Sequence, residues 1–149
     1  MPTLAVNKSA LHEYTVLENL KAGIVLSGAE VKSTRAGRMN LKGSYVTIHN
    51  NEVWLTNAHI SPYQPAGGRE GYQPDRSRKL LLKRKEIGRL LGKLKEKGLT
   101  AVPLSIYTSK SYIKVDVGIV RGKRQFEKRE VLKKRAVDRE IRTALKMRG

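Results

Sequence analysis

Two alternating runs dominate the hydrophobic pattern of this chain. Val102, Leu104 and Ile106 alternate with other residues, and so do Ile113, Val115, Val117 and Ile119. A period of two predicts strands with one face turned inward, and Ser109 to Ser111 supplies the reversal that makes them a hairpin. Lys114 and Asp116 fall on the opposite face of the second strand, which should meet water. An earlier hairpin is predicted where Tyr45–Ile48 and Val53–Leu55 flank His49, Asn50, Asn51 and Glu52, because an Asn pair tolerates the positive φ of a tight turn. Gly23–Leu26 is a further short apolar run. Several short strands closing on themselves predict a mainly β fold, a compact closed β-barrel.

Helical signals flank these strands. In LLLKRKEIGRLLGKLKEKG from Leu80, Ile87, Leu90, Leu91 and Leu94 recur at helical spacing and Gly98 offers a stop. One face should dock on the barrel, while Lys83, Arg84, Lys85, Arg89, Lys93, Lys95 and Lys97 lie outward, either against phosphate or simply in water. A short helix is predicted near Ala29, with Glu30, Lys32, Ser33 and Arg35 ahead of the breaker Gly37. Between the hairpins, Ser61–Lys79 carries Pro62, Pro65, Gly67, Gly68, Gly71 and Pro74 and predicts a long loop.

Residues 122–149 read differently. Eleven Lys and Arg face only Glu127, Glu130, Asp138 and Glu140 there, with no Pro and no internal Gly. Acid-first pairs four apart, Glu130 with Lys134 and Asp138 with Arg142, favour a helix slightly, by about 0.2–0.5 kcal/mol each. Val137, Ile141, Ala144 and Leu145 make only a thin apolar stripe, so the segment is expected to be disordered alone and to order against a polyanion. Two units follow: residues 1–121 as a barrel domain and 122–149 as a basic tail.

Charge turns this outline toward a partner. With 31 basic and 13 acidic residues the formal net charge is +18, and the pI is near 10.4. Such a field attracts nucleic-acid phosphate through counterion release. A membrane is not expected, since no stretch is long and apolar enough to span one and no lipid signal or secretory core is evident. A cytoplasmic location follows. The absence of Cys removes disulfides, thiolate zinc sites and cysteine nucleophiles.

Catalytic signals are sparse. His12, His49 and His59 are scattered without metal-ligand spacing, so no metal and no cofactor are expected. GRMNLKGS from Gly37 evokes a phosphate-binding loop, but Lys42 precedes Gly43, the reverse of the order such a loop needs. A metal-independent ribonuclease using His12, His59 and a carboxylate is one alternative; a general RNA-binding or ribosomal structural protein is another.

Four segments in order carry more. LHEYTVLE from Leu11, AGIVLSGAEVKSTRAGRMNLKGSYV from Ala22, RKLLLKRKEI from Arg78 and GKRQFEKRE from Gly122 resemble the family of small protein B, SmpB, the tmRNA-binding proteins of bacterial trans-translation. The resemblance spans nearly the whole chain. It implies a β-barrel with an oligonucleotide-binding-like core and flanking helices. It also implies a non-enzymatic factor that grips the tRNA-like domain of tmRNA and brings it to stalled ribosomes. A translation elongation factor is implied as a partner through the RNA complex.

By the same resemblance, tmRNA contact is expected around Asn7, Lys8, His12, Tyr14, Glu30, Lys32, Arg35 and Asn40. Lys32 and Arg35 would position phosphates, Asn7, His12 and Asn40 would hydrogen-bond bases or sugars, and Tyr14 would stack or sit in the core. Glu30 would touch RNA or orient its cationic neighbours. Ribosomal RNA near the decoding centre is expected at Gly122, Lys123, Arg124, Phe126, Lys128 and Arg129, and the empty mRNA channel at Ile141, Arg142 and Lys146, where the tail becomes helical. Glu13 and Glu127 stand where the family usually has Asp.

Overall fold

A computed structural model of the chain describes residues 2–63 and 71–122. The elements in order are β1 (Thr3–Val6), α1 (Lys8–Glu13), β2 (Tyr14–Ile24), α2 (Gly28–Arg35), β3 (Met39–Asn40), β4 (Tyr45–His49), β5 (Glu52–Thr56), β6 (His59–Ile60), β7 (Arg78–Leu81), α3 (Arg84–Leu94), β8 (Leu99–Ser109) and β9 (Tyr112–Gly122). Seven strands form one antiparallel sheet in the order β1-β8-β9-β2-β7-β5-β4, and β3 pairs with β6.

Both hairpins form. Asn50 and Asn51 take φ of 52° and 61°, and His49 pairs with Glu52 across the turn. At the other hairpin Ser109 pairs with Tyr112, and Lys110 has φ of 56°. Ser27 and Glu30 cap the start of α2 reciprocally: the Glu30 amide donates to Ser27 Oγ at 3.2 Å and the Ser27 amide donates to Glu30 Oε1 at 3.0 Å. Gly37, at φ 79°, ends the turn that follows.

Three expectations change. β2 runs for eleven residues, far beyond the Gly23–Leu26 run, because its solvent-side positions are polar and only its pairing with β9 reveals the strand. Arg78–Leu81, split by the sequence between loop and helix, forms β7 in the middle of the sheet; the helix starts only at Arg84. Val102, Leu104 and Ile106 do not share a face. The β8–β9 register shifts between Pro103 and Ser105, so Leu104 bulges and the alternation changes phase. Ile106 then enters the main core with Val115, Val117 and Ile119, while Val102 and Leu104 join Ala10 and Val120 in a second cluster under α1. A matching shift between Val16 and Glu18 turns β2 in step, leaving Leu17 exposed.

Such paired bulges coil a sheet. β4 lies against β8, but among the described residues no pairing joins them, and the hydrogen-bonded ladder ends at β1 on one side and β4 on the other. Among the described residues the structure holds a large antiparallel sheet with no closed ladder, so the closed barrel expected from the sequence is not formed by hydrogen-bonded strands there. α3 covers the main core through Ile87, Leu90 and Leu94, and Arg89 Nε donates to Glu18 on β2 at 3.2 Å.

Candidate nucleic-acid interface

The position of α2 rests on a buried charge cluster. Glu30 and Arg78 are 1% and 0% exposed. Arg78 Nη2 and Nε donate to Glu30 Oε2 at 2.7 and 3.0 Å, and Arg78 also donates to the carbonyls of Ala58 at 2.6 Å and Pro74 at 2.8 Å. Arg76 pairs with the other Glu30 oxygen, and the Tyr72 hydroxyl lies 3.2 Å from Oε2. Burial by itself would raise the Glu30 carboxyl. Hydrogen bonds from Arg76, Ser27 and Arg78, together with the Arg78 charge, outweigh it and hold the group at about 2. Burial, followed by the Glu30 charge, pushes the Tyr72 hydroxyl up.

α2 thereby presents Lys32 and Arg35, both exposed, on a fixed platform. Lys32 Nζ sits 5.7 Å from the centre of the Tyr63 ring. Arg35 Nη2 donates to the Ser111 carbonyl at 2.9 Å, tying α2 to the β8–β9 turn. Beside this bridge is a hollow of about 340 Å³ lined by Gly23, Leu26, Val31, Leu81, Tyr112 and Lys114, among others. Its rim is apolar and open: Leu81 is 53% and Tyr112 68% exposed. A cation beside an exposed aromatic ring and an apolar floor suits phosphate and an unstacked base together.

At the other end of β2 lies a second group. Gly23 lies nine positions beyond Tyr14, roughly 30 Å of extended chain. Asn7 caps α1, its Oδ1 accepting from the Ala10 amide at 3.2 Å while its Nδ2 donates to the Pro103 carbonyl at 2.8 Å. Lys8 and His12 project from α1 into solvent, and Tyr14 is half-buried against the Ala10 and Val102 cluster. Asn40 Oδ1 accepts from the Lys42 amide at 2.9 Å and shapes the turn leading to β4.

The expected residues therefore divide. Lys8, His12, Asn40, Lys32 and Arg35 are on the surface; Asn7 and Glu30 are buried and spend their polar atoms on the fold. Glu30 orients neither Lys32 nor Arg35 directly; its charged partners are Arg76 and Arg78, from the segment that reads as loop. Gly122 ends β9 opposite Tyr14. Lys123, Arg124, Phe126, Lys128, Arg129, Ile141, Arg142 and Lys146 lie outside the described residues. Tyr112, Leu81 and Tyr45 are exposed beside these groups. Their only sequence signal is a large side chain on the polar side of a strand.

His59 Nδ1 is 3.0 Å from Asp75 Oδ1, and among the described residues no hydrogen bond links it to His12. No group of three metal-ligating side chains exists among the described residues, and no described helix is long and apolar enough to cross a membrane.

Fold and surface define a small, strongly basic antiparallel β protein with exposed cations and an exposed aromatic ring near each end of one long strand and further exposed cations along α3. The family model described as SmpB protein matches residues 4–147. A protein of Carboxydothermus hydrogenoformans named SsrA-binding protein is 50% identical over 145 residues, 97% of each chain. One of the same name from Bacillus cytotoxicus is 48% identical over 97% of this chain and 93% of its own. A solved structure described as "tmRNA-SmpB: a journey to the center of the bacterial ribosome" matches with a TM-score of 0.69 and 45% identity, covering 84% of this chain and 87% of that one. The chain belongs to the SmpB protein family.

Proposed function

We propose that this protein binds the tRNA-like domain of tmRNA and carries it to stalled ribosomes for trans-translation. The observation that carries the reading is the α2 face, where Arg35, anchored on the Ser111 carbonyl, stands beside an apolar hollow rimmed by exposed Tyr112 and Leu81. Relatives of about half identity named SsrA-binding protein support the identity of the RNA. Lys8, His12, Tyr14, Lys32, Arg35 and Asn40 make tmRNA contacts in this reading, and Asn7 and Glu30 hold the elements that carry them.

The coiled sheet acts as a barrel with an oligonucleotide-binding-like core, a reading supported by the packing of β4 on β8. Residues 1–121 form the tmRNA-binding domain. Residues 122–149 are the ribosomal tail, disordered when free and helical in the empty mRNA channel, with Gly122, Lys123, Arg124, Phe126, Lys128 and Arg129 near the decoding centre. Ile141, Arg142 and Lys146 lie further along that channel. The protein works in the cytoplasm without cofactor or catalytic group, and an elongation factor joins through the RNA.

Competition binding tests this. The full chain and a truncation ending at Arg121 are measured on a tmRNA tRNA-like domain, against excess unrelated structured RNA at near-physiological salt. Selective binding by both, with rescue of stalled ribosomes lost only in the truncation, is expected. Indiscriminate binding by the full chain refutes the reading.

A further inference from the structure

β1 pairs with β8 only as far as Ser105, and the chain then turns away through Asn7 into α1. The N-terminal part of β8 is left facing the start of β4 across the seam where no pairing forms among the described residues. The seam holds a hollow of about 130 Å³, whose walls include Glu13, Tyr14, Gly43, Ser44, Tyr45 and Thr100. A volume of this size is closer to that of one heterocyclic base than to that of a whole nucleotide.

Its polar groups sort by commitment. Asn7 Nδ2 donates to the Pro103 carbonyl at 2.8 Å, Ser9 Oγ to Asn7 Oδ1 at 3.1 Å and Ser44 Oγ to the Leu41 carbonyl at 2.6 Å, so these serve the fold. Among the described residues, no hydrogen bond engages the Glu13 carboxylate or the hydroxyls of Tyr14, Tyr45 and Thr100. Tyr45 is 44% exposed on a strand that edges the sheet. The hollow thus offers an acceptor pair, three hydroxyls and two aromatic rings. A carboxylate repels phosphate and accepts hydrogen bonds from amines. The exposed cations Lys8 and Lys42 and the exposed imidazole of His12 are on the same elements or the adjoining turn, where a backbone would run.

We propose that this seam pocket takes one extruded nucleobase bearing an exocyclic amine, with Glu13 accepting from the amine and Tyr45 stacking on the ring. The phosphates on either side stay outside, against Lys8 and Lys42. The inference rests on the RNA-binding reading above and deepens it by naming a base-reading group. The same chemistry is available from an unpaired base of tmRNA or of ribosomal RNA.

Glu13 separates this from a bland surface. Near a polyanion an ordinary exposed acid is unfavourable, so its removal strengthens binding. A base-reading acid behaves oppositely: its loss weakens binding by about tenfold, the cost of one lost base contact. Glu13→Ala, which removes the acceptor as well as the charge, and Tyr45→Ala are made in the full chain, with thermal melts to show that both remain folded. Affinity, its salt slope and dimethyl sulfate protection are read with a tmRNA tRNA-like domain and, separately, with small ribosomal subunits.

Weaker binding by both variants at an unchanged salt slope is expected, with one adenine or cytosine protected by the wild type and reactive in each variant. The RNA on which that base appears identifies its source. Tighter or equal binding by Glu13→Ala, or an unchanged protection pattern, overturns the pocket while leaving the wild-type reading intact. Failure of the wild type to bind either RNA selectively overturns both.

Discussion

Arg78 and Glu30, 48 positions apart in the chain, meet with no access to water, through hydrogen bonds of 2.7 and 3.0 Å to one carboxylate oxygen. The pair joins the middle of the sheet to the helix that carries Lys32 and Arg35. Removing one partner strands the other charge in the interior. Arg78→Ala and Glu30→Ala should each destabilise by about 3–5 kcal/mol, and the double substitution by less than their sum. Urea unfolding of the four proteins measures this. Additive losses would mean that the pair is not coupled.

The same carboxylate sets an acid limit. Its folded value of about 2 lies below its ordinary 4.5. The unfolded chain therefore binds the proton more readily, and stability falls as pH drops. The contribution, about 3 kcal/mol, is complete above pH 4.5 and lost toward pH 2. Urea midpoints of the wild type should decline across that window more steeply than those of Glu30→Gln. Parallel curves would assign the acid sensitivity elsewhere.

Gly118 is a packing requirement. A Cβ there would stand 2.7 Å from Leu104 Cδ1 and 2.9 Å from Cγ, inside van der Waals contact. Leu104 is the bulge residue and is nearly buried, so it has little room to retreat. Gly118→Ala should cost about 1–3 kcal/mol, and most of that cost should vanish when Leu104 is Ala. Thermal melts of the double-mutant cycle test the contact, and equal penalties in both backgrounds would exclude it.

On the α2 face, charge and stacking should separate in a salt titration. Arg35→Ala should weaken binding to the tRNA-like domain and reduce the salt slope by about one, the loss of one phosphate contact. Tyr112→Ala should lower affinity by about 1–3 kcal/mol with the slope unchanged. If both variants shift the slope alike, Tyr112 supports the turn instead of meeting a base.

Much of the fold is legible in residue pattern. Asn50–Asn51 specifies its hairpin because two consecutive positive φ angles suit Asn, and Ser27 with Glu30 specifies the α2 start because both caps are local. The stripe Ile87, Leu90 and Leu94 marks α3 for the same reason. β2 is different, since its polar outer positions hide the strand until β9 supplies the pairing.

The candidate site was legible only in part. Lys32 and Arg35 stood out as cations on a short helix. Glu30 beside them looked equally available to RNA, since nothing nearby shows Arg76 and Arg78 closing on it from a segment rich in Pro and Gly. Tyr112 and Tyr45 carry no sequence signal beyond a large side chain at the end of a strand. Each alternates with a buried neighbour, Ile113 and Val46, so the strand pattern turns both outward, but which groups stand beside them is decided by the packing of other segments.

Local chemistry, which acts over a few residues, settled by itself the mainly β character, the two hairpins, the helical stripe and the excess of positive charge. Tertiary structure alone decided which face Leu104 and Ile106 take, where Arg78 is buried, and how Glu13, Tyr45 and Thr100 come to line one hollow. Side-chain phase along a strand is reset by each bulge, and a buried charge is tolerable only when a partner distant in sequence arrives to neutralise it. Both depend on contacts between segments, and no single segment contains that information.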